Sequence, residues 1–117
     1  MKEFDPGETP SIASMTDKVR PLTLGMAVSS VHFLGDKACF VGAEEHVAVA
    51  GADGAVARAT VHGGAILCAA CDGKRIVMGG DDGKVVAFDG KGNVTVLVTD
   101  AKRRWIDNVA LHPDGAV

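Results

Sequence analysis

The sequence predicts an all-β fold made of repeated four-stranded antiparallel sheets, and three observations predict it. Residues 62–99 contain four short runs with strand chemistry, 66–70, 75–79, 84–88 and 94–99. They are separated by Asp72-Gly73, Gly80-Asp81-Asp82-Gly83 and Asp89-Gly90-Lys91-Gly92-Asn93, the residue types of hairpin turns. The chain also aligns on itself. At an offset of 37, Lys37 falls on Lys74, Gly42 on Gly79, Val49 on Val86 and Ala50 on Ala87; at an offset of 42, Asp114-Gly115 falls on Asp72-Gly73. Finally, no stretch carries an i, i+3, i+4, i+7 apolar stripe long enough for a helix, while valine and alternation are abundant.

Taken in order, residues 1–21 hold three of the four prolines and show neither alternation nor helical period, so they read as a flexible N-terminal tail. Met15 could serve as a second start site. Alternation begins at Val28 and continues through Val31 and Phe33, then 38–41, 47–50 and 56–61. These runs make 28–61 a first four-stranded unit and 65–99 a second. Residues 108–117 read as the start of a third, cut off two residues after its Asp114-Gly115 turn, with Val117 opening a strand.

Bulk composition limits the function classes. A chain of 117 residues with 47% hydrophobic residues is enough for one domain that buries about two thirds of its unfolded surface. A formal net charge of −3 gives no electrostatic footprint for nucleic acid or an anionic membrane, so neither is expected as a partner. The apolar runs are shorter than the roughly 20 residues of a membrane span, and the N-terminus lacks a signal peptide's apolar core. A cytoplasmic location is the expectation. Three cysteines, an odd number, suggest buried free thiols rather than a disulfide framework.

The second unit carries a recognisable signature. His62-Gly63-Gly64-Ala65-Ile66 has the form His-x-Gly-x-Val before the first strand, Asp82 stands in the second turn, and Phe88-Asp89 closes the third strand where a Trp-Asp pair would stand. In these residues, and in its spacings near the roughly 40 to 45 residues of a blade, the chain resembles the WD-repeat β-propeller family over 28–117. The resemblance implies about two and a half four-stranded antiparallel blades of a WD-repeat-like propeller, with degenerate repeats. It implies an N-terminal fragment of a longer chain, because a ring needs on the order of four to eight blades. Closure would then come from remaining blades of the same chain or from oligomerisation, with 19–24 as a possible ring-closing strand. In the family a His, a Ser or Thr, an Asp and the Trp form a buried hydrogen-bond chain. Here His62 and Asp82 match, Phe88 lacks the N–H to donate, and Met78 stands where the hydroxyl would be. At the 37-residue offset, Glu45 takes the place of Asp82 in the first blade and Gly51 that of Phe88.

Sharper chemical readings fail on local grounds. Cys68 and Cys71 have zinc or redox spacing, but on a strand residues i and i+3 point to opposite faces, and no second Cys or Cys/His pair follows at finger spacing. The 89–100 loop imitates a calcium loop, yet Lys91 sits at a ligand position and Val94 replaces the required glycine. In 79–84, Val85 follows the lysine where a phosphate loop needs Ser or Thr. His32, His46, His62 and His112 lie far apart in sequence and suit surface or hydrogen-bonding roles.

One segment stands outside the repeat. Residues 99–107 contain the only Trp and three consecutive cations, Lys102, Arg103, Arg104 and Trp105, and a charged rim beside an aromatic is the composition of a contact site. These four residues are the candidate partner-binding set, and an acidic protein or peptide is the expected partner. The opposing reading has the cations satisfied by Asp81, Asp82 and Asp107, with Trp105 or Ile106 packed between blades. The resemblance implies a non-catalytic interaction scaffold without a cofactor. The alternative is a piece of a propeller enzyme, or of a metal- or sugar-binding propeller, whose active residues lie in other blades.

Overall fold

A computed structural model describes residues 21–117, so the expected tail up to residue 20, and with it the first two residues of the 19–24 segment, lies outside the described residues. Residues 21–24 carry no strand. The described chain is all-β, with no helix, and forms two antiparallel four-stranded sheets. The first runs in the order β1 (Val28–Leu34), β2 (Lys37–Gly42), β3 (His46–Ala50), β4 (Val56–Thr60). The second follows as β5 (Ile66–Cys71), β6 (Ile76–Gly80), β7 (Lys84–Phe88), β8 (Val94–Thr99). Short polar side chains close the turns as their chemistry requires. The Asp72 carboxylate accepts from the N–H groups of Lys74 (2.8 Å) and Arg75 (2.9 Å), and Asp53 accepts from Ala55 N–H (3.0 Å).

The ladders correct the repeat period. In the first sheet Val28 pairs with Gly42 and Ser30 with Val41, with a bulge between; in the second Ile66 pairs with Gly80 and Cys68 with Gly79, with a bulge at the matching place. From Val28 to Ile66, and from Val41 to Gly79, the displacement is 38 residues, not 37. The turns agree: Gly35 and Gly73, and Gly54 and Gly92, are left-handed pairs at the same spacing. Glu44, not Glu45, therefore stands at the Asp82 position, and Ala50, not Gly51, at the Phe88 position. A slip of one residue in a strand exchanges its two faces, so the correction decides which surfaces meet.

With the period set at 38, the packing of the sheets becomes simple. Cys39, Val41, Val47 and Val49 point from one face of the first sheet into a single buried cluster with Ile76, Met78, Val86 and Phe88 of the second. Their true counterparts in the second sheet, Val77, Val85 and Ala87, lie on its other face, in a separate cluster with Ile106, Val109 and Leu111. The sheets thus stack unlike face to unlike face, where a two-fold sandwich would join equivalent ones. Equivalent ends also sit side by side: Gly35 N–H donates to Gly73 O (2.8 Å), and the Cys71 thiol to Phe33 O (3.3 Å). Ile76, Met78, Val77 and Val86 are fully enclosed, and side chains of this size contribute roughly 1.5 to 3 kcal/mol each when removed from water.

After β8 the chain folds back across the second sheet. Asp100 N–H donates to Gly83 O (2.8 Å) and Ile106 N–H to Gly80 O (3.1 Å), laying 106–111 over Val77, Val85 and Ala87. The expected strand at 108–117 is absent. Val109 and Leu111 contribute side chains to the core, but their backbone has no ladder partner among the described residues, and a strand exists only where a ladder does. The turn itself is present, with His112 N–H bonded to Ala116 O and Gly115 N–H to His112 O, both 2.8 Å.

Candidate functional site

The buried polar centre of the molecule lies at the end of the sheets where β6 turns into β7. His62, 3% exposed, enters from the segment before β5. Its Nδ1 lies 3.0 and 3.1 Å from the two Asp82 carboxylate oxygens, and its Nε2 lies 3.2 Å from the Met78 carbonyl. Gly63 N–H (3.0 Å) and Lys84 N–H (3.1 Å) also donate to Asp82. A main-chain carbonyl thus takes the ring nitrogen that a hydroxyl would have taken, while the Met78 side chain packs in the core. Phe88 is buried in the same cluster and takes no part in the polar chain. Asp89 is turned into its own loop, accepting from Lys91 N–H (2.7 Å), Asn93 N–H (3.1 Å) and Asn93 Nδ2 (2.6 Å). Space for the lock depends on Gly80, where a Cβ would lie 2.5 Å from His62 Nδ1 and 2.8 Å from Asp82 Oδ1.

The candidate binding residues sit on the same rim. Arg104 is held internally: its Nε and a terminal nitrogen each donate to Asp100 at 3.0 Å, and its backbone N–H to the same carboxylate at 2.7 Å. The partner is therefore Asp100, in place of the expected Asp81, Asp82 or Asp107. Lys102 and Arg103 have no side-chain hydrogen bond or ion pair with any described residue. Arg103 is also the one non-glycine residue described with positive φ, 52°, a conformation that costs roughly 1 to 2 kcal/mol outside glycine. It holds this shape because the loop lies directly on Gly83, where a Cβ would meet Arg103 Cα at 2.7 Å. Trp105 is 70% exposed, and Ile106 takes the anchoring place under the loop. On this pinned loop Lys102, Arg103 and Trp105 have no side-chain hydrogen bond or ion pair with a described residue, whereas Arg104 is paired with Asp100.

No protein-family model matches the chain, and neither a curated protein nor a solved structure is significantly similar to it. No group of three or more His, Cys, Asp or Glu residues that could hold a metal occurs among the described residues, and no described helix is long and apolar enough to cross a membrane.

Several carboxylates at the turns are held below the usual 3.8. For Asp100 the side-chain bonds from Arg104 are the chief cause, then the Arg104 N–H, and together they bring it to about 2. Burial raises Asp82, but the Gly63 N–H, His62 and the Lys84 N–H outweigh it, and the net direction is down. A depressed folded-state value means that the folded chain binds fewer protons than the unfolded one as pH falls, so the contribution to stability is present above the unfolded value and lost below it. The melting temperature is accordingly expected to fall as pH drops from about 4 towards 2. In the Asp100→Asn variant the fall should be shallower, which thermal melts across this window would measure.

Proposed function

We propose that the two sheets are successive blades of a WD-repeat-like β-propeller, and that the protein is a non-catalytic scaffold that binds an acidic protein or peptide through Lys102, Arg103 and Trp105. The unlike-face stacking at a constant 38-residue period supports the propeller reading, because successive blades related by one rotation must pack in that sense. The binding reading rests on one observation. An exposed indole follows two cations in the chain, each without a side-chain partner among the described residues, on a loop that is strained at Arg103 and tied down at Asp100 and Ile106. Strained backbone persists where its surroundings over-determine it and clusters at binding sites. In this arrangement Trp105 supplies the apolar anchor, and Lys102 and Arg103 set orientation and encounter rate.

Because Trp105 is the only tryptophan, its fluorescence reports on the site directly. Titration with a glutamate-rich peptide is expected to shift and saturate that emission. The Lys102→Glu, Arg103→Glu double variant should lose the response while its melting temperature stays within a degree or two of the parent, since exposed charges without partners contribute roughly 0 to 1 kcal/mol. An unchanged response in the double variant would overturn the assignment.

A further inference from the structure

The loop that carries Lys102, Arg103 and Trp105 hangs at both ends from a single hairpin turn. At its start Asp100 N–H donates to Gly83 O (2.8 Å), and at its end Ile106 N–H donates to Gly80 O (3.1 Å). These two glycines bracket the β6–β7 turn, which is closed by the bond from Gly83 N–H to Gly80 O at 3.3 Å. Between its two tethers the loop rests on the turn itself, since a Cβ on Gly83 would meet the Arg103 carbonyl carbon at 3.0 Å and Arg104 O at 3.2 Å. The placing of the loop is therefore set by the placing of this turn.

The turn is fixed from its other side by bonds in which the loop takes no part. The Asp82 carboxylate accepts from His62 Nδ1 (3.0 Å), Gly63 N–H (3.0 Å) and Lys84 N–H (3.1 Å), and Asp81 N–H donates to Ala65 O (3.0 Å). His62 is anchored in its turn through Nε2, 3.2 Å from Met78 O. The sequence Gly80-Asp81-Asp82-Gly83 places a glycine at each end of the turn, and glycine leaves the backbone free to take many conformations. The choice of one conformation thus falls to the bonds of Asp82 and Asp81.

The first sheet supplies a contrast within the same chain. At the 38-residue spacing Leu24 stands at the His62 position and Glu44 at the Asp82 position. The Glu44 carboxylate has no hydrogen bond or ion pair with a described residue, and a Cβ on Gly42, the counterpart of Gly80, would face Met26 Sδ at 3.2 Å. There the chain passes from β4 to β5 within residues 61–65. After β8 the connection is longer, because the offset that brings the Asp-Gly turns into register widens from 38 to 42. The lock is found in the sheet whose turn supports the longer connection.

We infer that His62 and Asp82 are positioning residues for the partner-binding loop, holding the β6–β7 turn so that Lys102, Arg103 and Trp105 are presented in one arrangement before a partner arrives. This inference rests on the binding role given above to those three residues. A loop ordered in advance does not spend binding energy on its own ordering, and a binding site is only as well defined as the groups that support it.

The test reads the free protein and its peptide affinity side by side, each variant being measured well below its own melting temperature. In His62→Ala and Asp82→Ala, hydrogen exchange at the Asp100 and Ile106 amides should quicken roughly 10-fold through local opening. Affinity for the glutamate-rich peptide, followed by Trp105 emission, should fall roughly 5-fold, within the range for residues that act on a site without touching its ligand. Asp82→Asn keeps an oxygen for His62 and Lys84 N–H and should recover most of both losses. Val49→Ala, in the core far along the first sheet, should lower the melting temperature and leave both readouts parental. Parental exchange at Asp100 and Ile106 in both alanine variants would overturn the inference. So would faster exchange there with unchanged affinity, or the same two effects in Val49→Ala. If the parent itself gives no saturable response to the peptide, the binding role fails and the inference falls with it, a failure read from the parent alone.

Discussion

Gly80→Ala is expected to destabilise the protein by about 2 to 4 kcal/mol, more than removal of most single side chains from its surface. The new methyl carbon would lie 2.5 Å from His62 Nδ1 and 2.8 Å from Asp82 Oδ1, so the imidazole and the carboxylate must part. Overpacking costs roughly 1 to 3 kcal/mol, and a half-buried carboxylate that loses a partner adds roughly 1 to 3. Removing the ring in His62→Ala should cost about 1 to 3 kcal/mol through the second effect. His46→Ala should cost little, because the His46 bond to Thr60 Oγ1 at 3.1 Å is exposed. Urea denaturation resolves the series if the midpoints shift at constant slope. Equal midpoints for His62→Ala and His46→Ala, or a parental midpoint for Gly80→Ala, would show that the lock contributes nothing.

The second large effect is expected at Gly79. A Cβ there would meet Ile106 Cγ2 and Ile106 O at 2.6 Å and Cys68 Sγ at 2.7 Å. Gly79→Val therefore lifts the 106–111 segment and bares Val77, Val85 and Ala87. Loss of that contact should cost about 2 to 3 kcal/mol, the scale of one buried aliphatic side chain together with local strain. The diagnostic readout is hydrogen exchange at the Ile106 amide, which donates to Gly80 O in the parent. Faster exchange at Ile106, with the β6–β7 amides still protected, is the expected pattern. Parental protection at Ile106 would mean that the segment is held by something other than this close fit.

The strands and their antiparallel order were legible because the local signals agree: short apolar runs in 66–70 and 84–88, and Asp-Gly turns whose side chains cap their own backbone. The period was misread by one residue because the identities linking Lys37 with Lys74 and Val49 with Val86 outweighed the turns. Gly35 with Gly73 and Gly54 with Gly92 carried the right spacing, since the left-handed backbone at each turn tip fixes where a hairpin reverses. At the rim, the basic and aromatic composition was visible, but the division of labour within it was not. The pairing of Arg104 with Asp100 depends on the backbone reversal at Arg103, and arginine is not a residue type that announces positive φ.

Unlike-face stacking also bears on how such a chain can lengthen. The second sheet turns towards the 106–111 segment the face equivalent to the one that the first sheet turns towards it, so the arrangement has a direction, as a staircase does. Duplicating 38 consecutive codons in phase would insert one further sheet that meets both neighbours through an interface of the kind already present. A mirror or two-fold arrangement offers no such route, because an inserted sheet there would face its neighbours with the wrong side. The architecture is therefore open to growth by whole units, and a one-residue slip within a strand, unlike one in a turn, would carry that strand's buried valines to the opposite face.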